Sequence, residues 1–319
     1  MNYNTLLFRA FRLVRTVPVL WQLGILLAFV GGGTGSLPSL FNMVANTAGD
    51  LWPSSVLPGG DLPRLPLVVL GILMGAGLVV VGLTVQYVAR VGLIDGSARA
   101  HREEPLTLTS TLKRGLSPDA LRLLVLNVLL YAPVMLLGLF IMALFFLLLG
   151  VTLVSLEREW RLVSLMVGII TGATIFLFIG AMLLAGGLAT VLNHWSIRFV
   201  ILAGRGVLES LQAGWRLFRT HWQASLILWL VQMGVNFALQ IALTALAIVL
   251  VLILGGITGI GQIVGIPGLL LVAGSAVVGL VAWTGWAVVQ GIALAYVETL
   301  WSLGWLTIVE ENIGGGSSL

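Results

Sequence analysis

Apolar residues run along this chain in long unbroken stretches, and its polar residues gather in the gaps between them. The stretches cover residues 17–30, 65–94, 123–153, 162–192, 225–254 and 269–297. About 20 apolar residues carry a helix across the hydrocarbon core of a bilayer, so the pattern predicts six membrane-spanning helices. The first stretch is short and draws on part of the segment before it.

The gaps are not alike. Residues 206–225 read GVLESLQAGWRLFRTHWQAS, in which Leu208, Leu211, Trp215, Phe218 and Trp222 recur at steps of three and four. Glu209, Gln212, Arg216, Arg219 and Gln223 recur at the same steps on the opposite side. That is an amphipathic helix joined directly to an apolar span, and such a helix lies flat at the bilayer surface. Residues 2–16 repeat the design, with Leu7, Phe11 and Val14 apolar against Arg9 and Arg12. Arg12-Leu13-Val14-Arg15-Thr16 matches Arg216-Leu217-Phe218-Arg219-Thr220. Residues 31–64, rich in Gly and Pro, predict a loop with short surface helices such as 40–48. Residues 255–268 carry no charge and predict a shallow turn or re-entrant piece; 298–312 read as a further amphipathic segment.

The same landmarks recur at a fixed period. Gly82, Gly187 and Gly291 are spaced by 105 and 104 residues, and Arg12 and Arg216 by 204. The chain therefore reads as one membrane domain over 1–319, built from three units near 1–95, 105–200 and 206–312. Each unit is a surface helix followed by a hairpin of two spans, and an even number of spans makes the copies parallel. The middle copy, Thr109-Ser110-Thr111-Leu112-Lys113-Arg114-Gly115-Leu116, is the most diverged.

Composition settles the solvent. The chain is 59% hydrophobic and 9% charged, with a mean hydropathy of +1.10, where a soluble domain carries about 25% charged residues. It is an all-α integral membrane protein. A pI near 10.1 invites a nucleic-acid reading, but the distribution of charge opposes it. Thirteen Lys and Arg fall on the side holding both termini, and only Arg64, Arg158 and Arg161 on the other. That asymmetry predicts both termini in the cytoplasm and no nucleic-acid partner; the cytoplasmic membrane of a prokaryote is what the resemblance described next implies. The basic flank of the first stretch recurs inside the chain and no A-x-A-like cleavage site follows it, so the segment is expected to be retained. With no cysteine there is no disulfide or thiolate chemistry.

The surface helix Leu208-Glu209-Ser210-Leu211-Gln212-Ala213-Gly214-Trp215-Arg216-Leu217-Phe218, with its Trp-containing entry into an apolar hairpin, resembles a broad group of polytopic prokaryotic proteins. They are related to the membrane domain beside some glycerophosphoryl diester phosphodiesterases. The resemblance implies a membrane module without the phosphodiesterase activity, since the spans consume the chain. Leu300-Trp301-Ser302-Leu303-Gly304-Trp305 departs from the polar ending common in that group.

Few residues offer chemistry. His101, His194 and His221 lack a second ligand at metal spacing, so no metal or cofactor is expected. G-x-S-x-G is absent, and GGGTGS lacks the Lys-Ser/Thr of a phosphate loop. Gln232, Asn236 and Gln240 are spaced by four, with Thr244 continuing the row. Amides in hydrocarbon need partners, which makes them either interhelical glue or the lining of a polar path. Glu298 is the best single ionisable residue, strengthened by Gln290 and placed either within the membrane or at its surface beside Trp301. Trp195, Trp215, Trp222, Trp301 and Trp305 read as an aromatic belt on the cytoplasmic side. Arg9, Arg12, Arg216, Arg219, Trp215 and Trp222 are the expected headgroup contacts, for anionic lipid in particular. The expectation is a non-enzymatic module that organises lipid or a membrane-protein partner; a transporter with a path along the fifth span is the alternative, and a lipid enzyme ranks last.

Overall fold

A computed structural model describes residues 3–30, 64–157, 161–264 and 268–314. Among them every regular element is helical: α1 (Tyr3–Thr16), α2 (Pro18–Val30), α3 (Arg64–His101), α4 (Leu108–Gly115), α5 (Asp119–Glu157), α6 (Arg161–Ile201), α7 (Val207–Thr220), α8 (Trp222–Val264) and α9 (Gly268–Gly314). The loop expected over 31–63, with its surface helix at 40–48, lies outside the described residues.

Local chemistry explains the breaks. Pro18 opens α2, where its missing N–H costs nothing. Thr107 caps α4 by accepting the amide of Ser110. Glu103 (φ 59°) and Gly204 (φ 67°) take left-handed conformations just past the ends of α3 and α6. In both places the following amide folds back onto the helix end, Glu104 N–H to the Arg99 carbonyl at 3.0 Å and Arg205 N–H to that of Phe199 at 3.1 Å.

Among the described residues four helices are long and apolar enough to cross a membrane: Asp119–Val154 in α5, Leu165–Ile201 in α6, Trp222–Ile257 in α8 and Ala273–Glu310 in α9. The pair α1 and α2, bent by 89°, brings the number to five if it counts as one span. Helices run further than the apolar stretches. α8 continues through Gly255–Gly261 to Val264, where a turn was expected, and α9 continues past Glu298 without a break. In hydrocarbon, backbone groups have no water to bond, so glycine alone does not open a helix there.

The chain forms two compact units, residues 1–120 with 226–319, and residues 121–225. In the first, α2 packs against α9 and α3 around Leu20, Leu23, Leu27, Leu93 and Ala295. Gly24 and Gly291 make the crossing of α2 and α9 so close that a Cβ on either would strike the other helix's backbone. α1 lies on α9, and α4 lies on α3 with Gly115 against the Val88 carbonyl. In the second unit α7 lies on α6, and the Trp195 indole N–H donates to Ser225 Oγ at 2.9 Å.

Candidate functional site

The surface helices place the expected headgroup residues. On α7 the side turned to the protein is Ser210, Ala213, Gly214 and Leu217. Gly214 permits this docking, since a Cβ there would lie 2.5 Å from Ser196 Oγ and 3.1 Å from its amide nitrogen. Leu217 packs inward, but Leu208, Trp215 and, at the start of α8, Trp222 do not: they are 65%, 45% and 54% exposed. Trp215 and Phe218 stack obliquely, ring centroids 5.8 Å apart. Arg216 and Arg219 are exposed beside this stripe and have no ion-pair partner among the described residues. Leu211, Gln212, Trp215 and Arg216 line a shallow groove of about 510 Å³ along the helix.

α1 repeats the arrangement. Leu6, Ala10 and Val14 are buried, Phe8 and Phe11 are 73% and 58% exposed, and Arg9, Arg12 and Arg15 point outward. Val14, expected on the same apolar side as Phe11, packs inward while Phe11 does not. Thr16 Oγ1 donates to the Arg12 carbonyl and Thr220 Oγ1 to that of Arg216, both at 2.9 Å.

α4 is different. It buries Thr111 and Gly115 but carries no aromatic residue. Its Arg114 is held by Asp119 at 3.1 Å and lies 3.9 Å from Asp95. Burial raises the Asp95 pKa above its ordinary value, against the pull of Arg114 and Arg99.

Two polar residues of the long helices, Glu298 and Gln232, are paired within the protein. Glu298 is buried and accepts from Arg90 of α3, Nε at 3.0 Å and Nη2 at 2.9 Å on one oxygen. Sequence spacing held no signal for this pair, whose members are 208 residues apart. Gln232 accepts the Trp301 indole N–H at 2.8 Å. Asn236 and Gln240 are exposed on α8, so the structure does not gather them with Gln232 and Glu298 at one place. Gln290 is buried, and its Oε1 has no partner among the described residues. The belt of five tryptophans divides: Trp195, Trp301 and Trp305 are buried in the protein, and only Trp215 and Trp222 remain outside. An indole whose N–H finds a buried acceptor, as Trp195 and Trp301 do, is free to leave the interface. Arg198, counted with the surface cations, is also buried and donates to the His194 carbonyl at 2.7 Å. No group of three or more His, Asp or Glu among the described residues could hold a metal.

What α1 and α7 can do chemically is present guanidinium and aromatic groups, each along its own exposed face. No curated protein and no solved structure matches the chain. A family profile does match, over residues 6–312, nearly the whole of the architecture just described. The chain belongs to that family, the family of unknown function DUF7544.

Proposed function

We propose that this protein is a non-enzymatic multipass module of a prokaryotic cytoplasmic membrane that organises anionic lipid at the inner leaflet through α1 and α7. The observation that carries the reading is the exposed aromatic stripe bordered by arginines with no ion-pair partner among the described residues, on two helices that dock by their other side, Leu6, Ala10 and Val14 on α1 and Ser210, Ala213, Gly214 and Leu217 on α7. Such a face suits the interface, rings at headgroup level and guanidinium groups on phosphate.

The finer architecture belongs to the same proposal: six spans in three parallel hairpin units, with both termini cytoplasmic. α3, 38 residues and so about 57 Å long, supports one further span. The 13 residues of α2 extend only about 20 Å, short of a hydrocarbon core of about 30 Å. The order of docking supports the repeat. α4 lies on the long helix that precedes it, α7 does the same, and α1 lies on α9, the last long helix. The resemblance to the membrane domain beside glycerophosphoryl diester phosphodiesterases fits this unit and adds no activity to it.

Because the natural chain has no cysteine, single cysteines placed in successive loops report topology one at a time. Labelling of positions near Arg102 and Arg205 from the cytoplasmic side only is the expected result; labelling from outside removes the orientation. For the lipid role, Arg216→Gln with Arg219→Gln is expected to change the lipid that co-purifies. Unchanged lipid with loss of a co-purifying protein would replace lipid by a protein partner. The transporter reading draws on the buried, unpartnered Gln290, but Gln232 is already engaged by Trp301.

A further inference from the structure

The three short helices share a docking mode but not a surface. We propose that the protein holds anionic phospholipid at two of them, α1 and α7, and that α4 is a silent copy. The inference rests on the lipid-organising reading above and gives it a stoichiometry and a ligand class: phospholipids with an anionic phosphodiester headgroup.

Depth comes first. α7 follows α6 after five residues and precedes α8 after one, and both neighbours are among the helices able to cross a membrane. Its ends are therefore tethered where the chain enters the bilayer, and its exposed Leu208 and Trp215, with Trp222 at the start of α8, meet lipid. α1 turns through 89° into α2, which lays it along the surface when α2 enters the bilayer.

Charge comes second. Arg216 and Arg219 are three residues apart, as are Arg12 and Arg15, so each pair shares one helix edge. No acid among the described residues pairs with them; Glu209, the one acid of α7, sits two turns from Arg216 at the helix start. A guanidinium matches a phosphate with two parallel hydrogen bonds. On α7 the groove beside Arg216 is floored by Leu211 and Trp215, an apolar rest for the first part of an acyl chain. Phe8 and Phe11 offer the same beside Arg12.

α4 lacks each part. It has eight residues against fourteen, no ring, and its Arg114 is drawn to Asp119 and Asp95. Lys113, exposed and without an ion-pair partner among the described residues, is a point charge without the planar fork.

The test is native mass spectrometry of the full chain with added phosphatidylglycerol or phosphatidylcholine. Two retained phosphatidylglycerols per chain are expected, and one in Arg216→Gln/Arg219→Gln or in Arg12→Gln/Arg15→Gln. The affected site should weaken about 30-fold, from the loss of two surface arginines. Lys113→Gln should leave both lipids in place. Arg216→Lys/Arg219→Lys, which keeps the charge and removes the fork, should weaken its site less than the glutamine pair does. Equal retention of the two lipids, a third phosphatidylglycerol lost with Lys113→Gln, or no effect of the arginine pairs overturns the inference. Quenching by brominated acyl chains, compared between wild type and Trp215→Phe, separates the levels. If Trp215 contributes no quenching, the interfacial reading itself fails; if it does and lipid is unselective, only the two-site inference fails.

Discussion

The Arg90–Glu298 pair offers the sharpest energetic test, because it ties α3 to α9 through charges largely removed from solvent. The side chains are 16% and 6% exposed, and both guanidinium contacts reach the same carboxylate oxygen. At 2.9 Å and an effective dielectric near 20, the attraction is about 6 kcal/mol. Desolvation of both ions opposes most of it, so the pair adds little net stability over two apolar residues of similar volume. Removing one partner is another matter, since the survivor keeps its desolvation cost and loses its counter-charge. Glu298→Leu or Arg90→Met is therefore expected to cost about 3–5 kcal/mol. The double variant should fall within about 1 kcal/mol of wild type by the same reasoning. Reversible unfolding in mixed micelles with increasing SDS, followed by helical circular dichroism, measures all four corners of the cycle. A Glu298→Leu variant as stable as wild type, or a double variant costing the sum of the singles, refutes the account.

Four further outcomes follow from packing and charge. Gly291→Val places a side chain on the backbone of Ile25 and Gly24, and is expected to cost about 3 kcal/mol or more in the same unfolding assay. Gly77→Ala, with nothing within 4 Å, should be neutral or stabilising by up to about 1 kcal/mol. Gln232→Leu strands the Trp301 indole N–H and should cost about 1–2 kcal/mol, with a change in tryptophan emission. His101 is held below its ordinary pKa of 6.5, first by burial and then by Arg9 and Arg102, against Glu310. The unfolded chain then binds more protons than the folded one between the depressed value and 6.5. Stability from this group is present above 6.5 and is lost as pH falls through the folded pKa. Arg9→Gln should bring the imidazole titration, read by NMR, back toward 6.5.

Helix content and the surface helices were legible because they depend on local periodicity. Residues 208–222 carry the 3.6-residue pattern on their own, and the structure forms a helix over Val207–Thr220, with Trp222 already opening α8. The period did not reveal which apolar side chains meet protein. Ser210, Ala213 and Gly214 are nearly neutral in hydropathy, so the docking face left almost no trace beside the leucines and tryptophans. Small size matters there because it lets two backbones approach. Trp301 shows a second limit. An interfacial tryptophan and a buried one look alike in sequence, and only the Gln232 acceptor, 69 residues away, separates them. Arg90 and Glu298 were each visible as charges at span ends, but their pairing is a fact of tertiary structure.

Burial is uneven along the long helices, and the unevenness bears on function. Among the residues whose burial is described, it gathers in α3 at Val88, Ala89, Val91, Leu93 and Ile94; in α6 at Trp195 and Ile197–Ile201; in α9 at Leu300, Trp301, Leu303 and Ile308. All three clusters lie toward the C-terminal ends, the ends that bear the short helices. The most apolar windows of α5 and α8 bury no residue in the protein, and that of α6 only 11%. Side chains of that hydropathy are stable only in lipid, which supplies no specific partner and so no rigidity. Order is therefore greatest where the short helices dock, and weakest where acyl chains surround single helices. A protein that sets the place of headgroups, the role proposed above, needs packing where its surface helices dock, and within each unit that is where the described residues gather it.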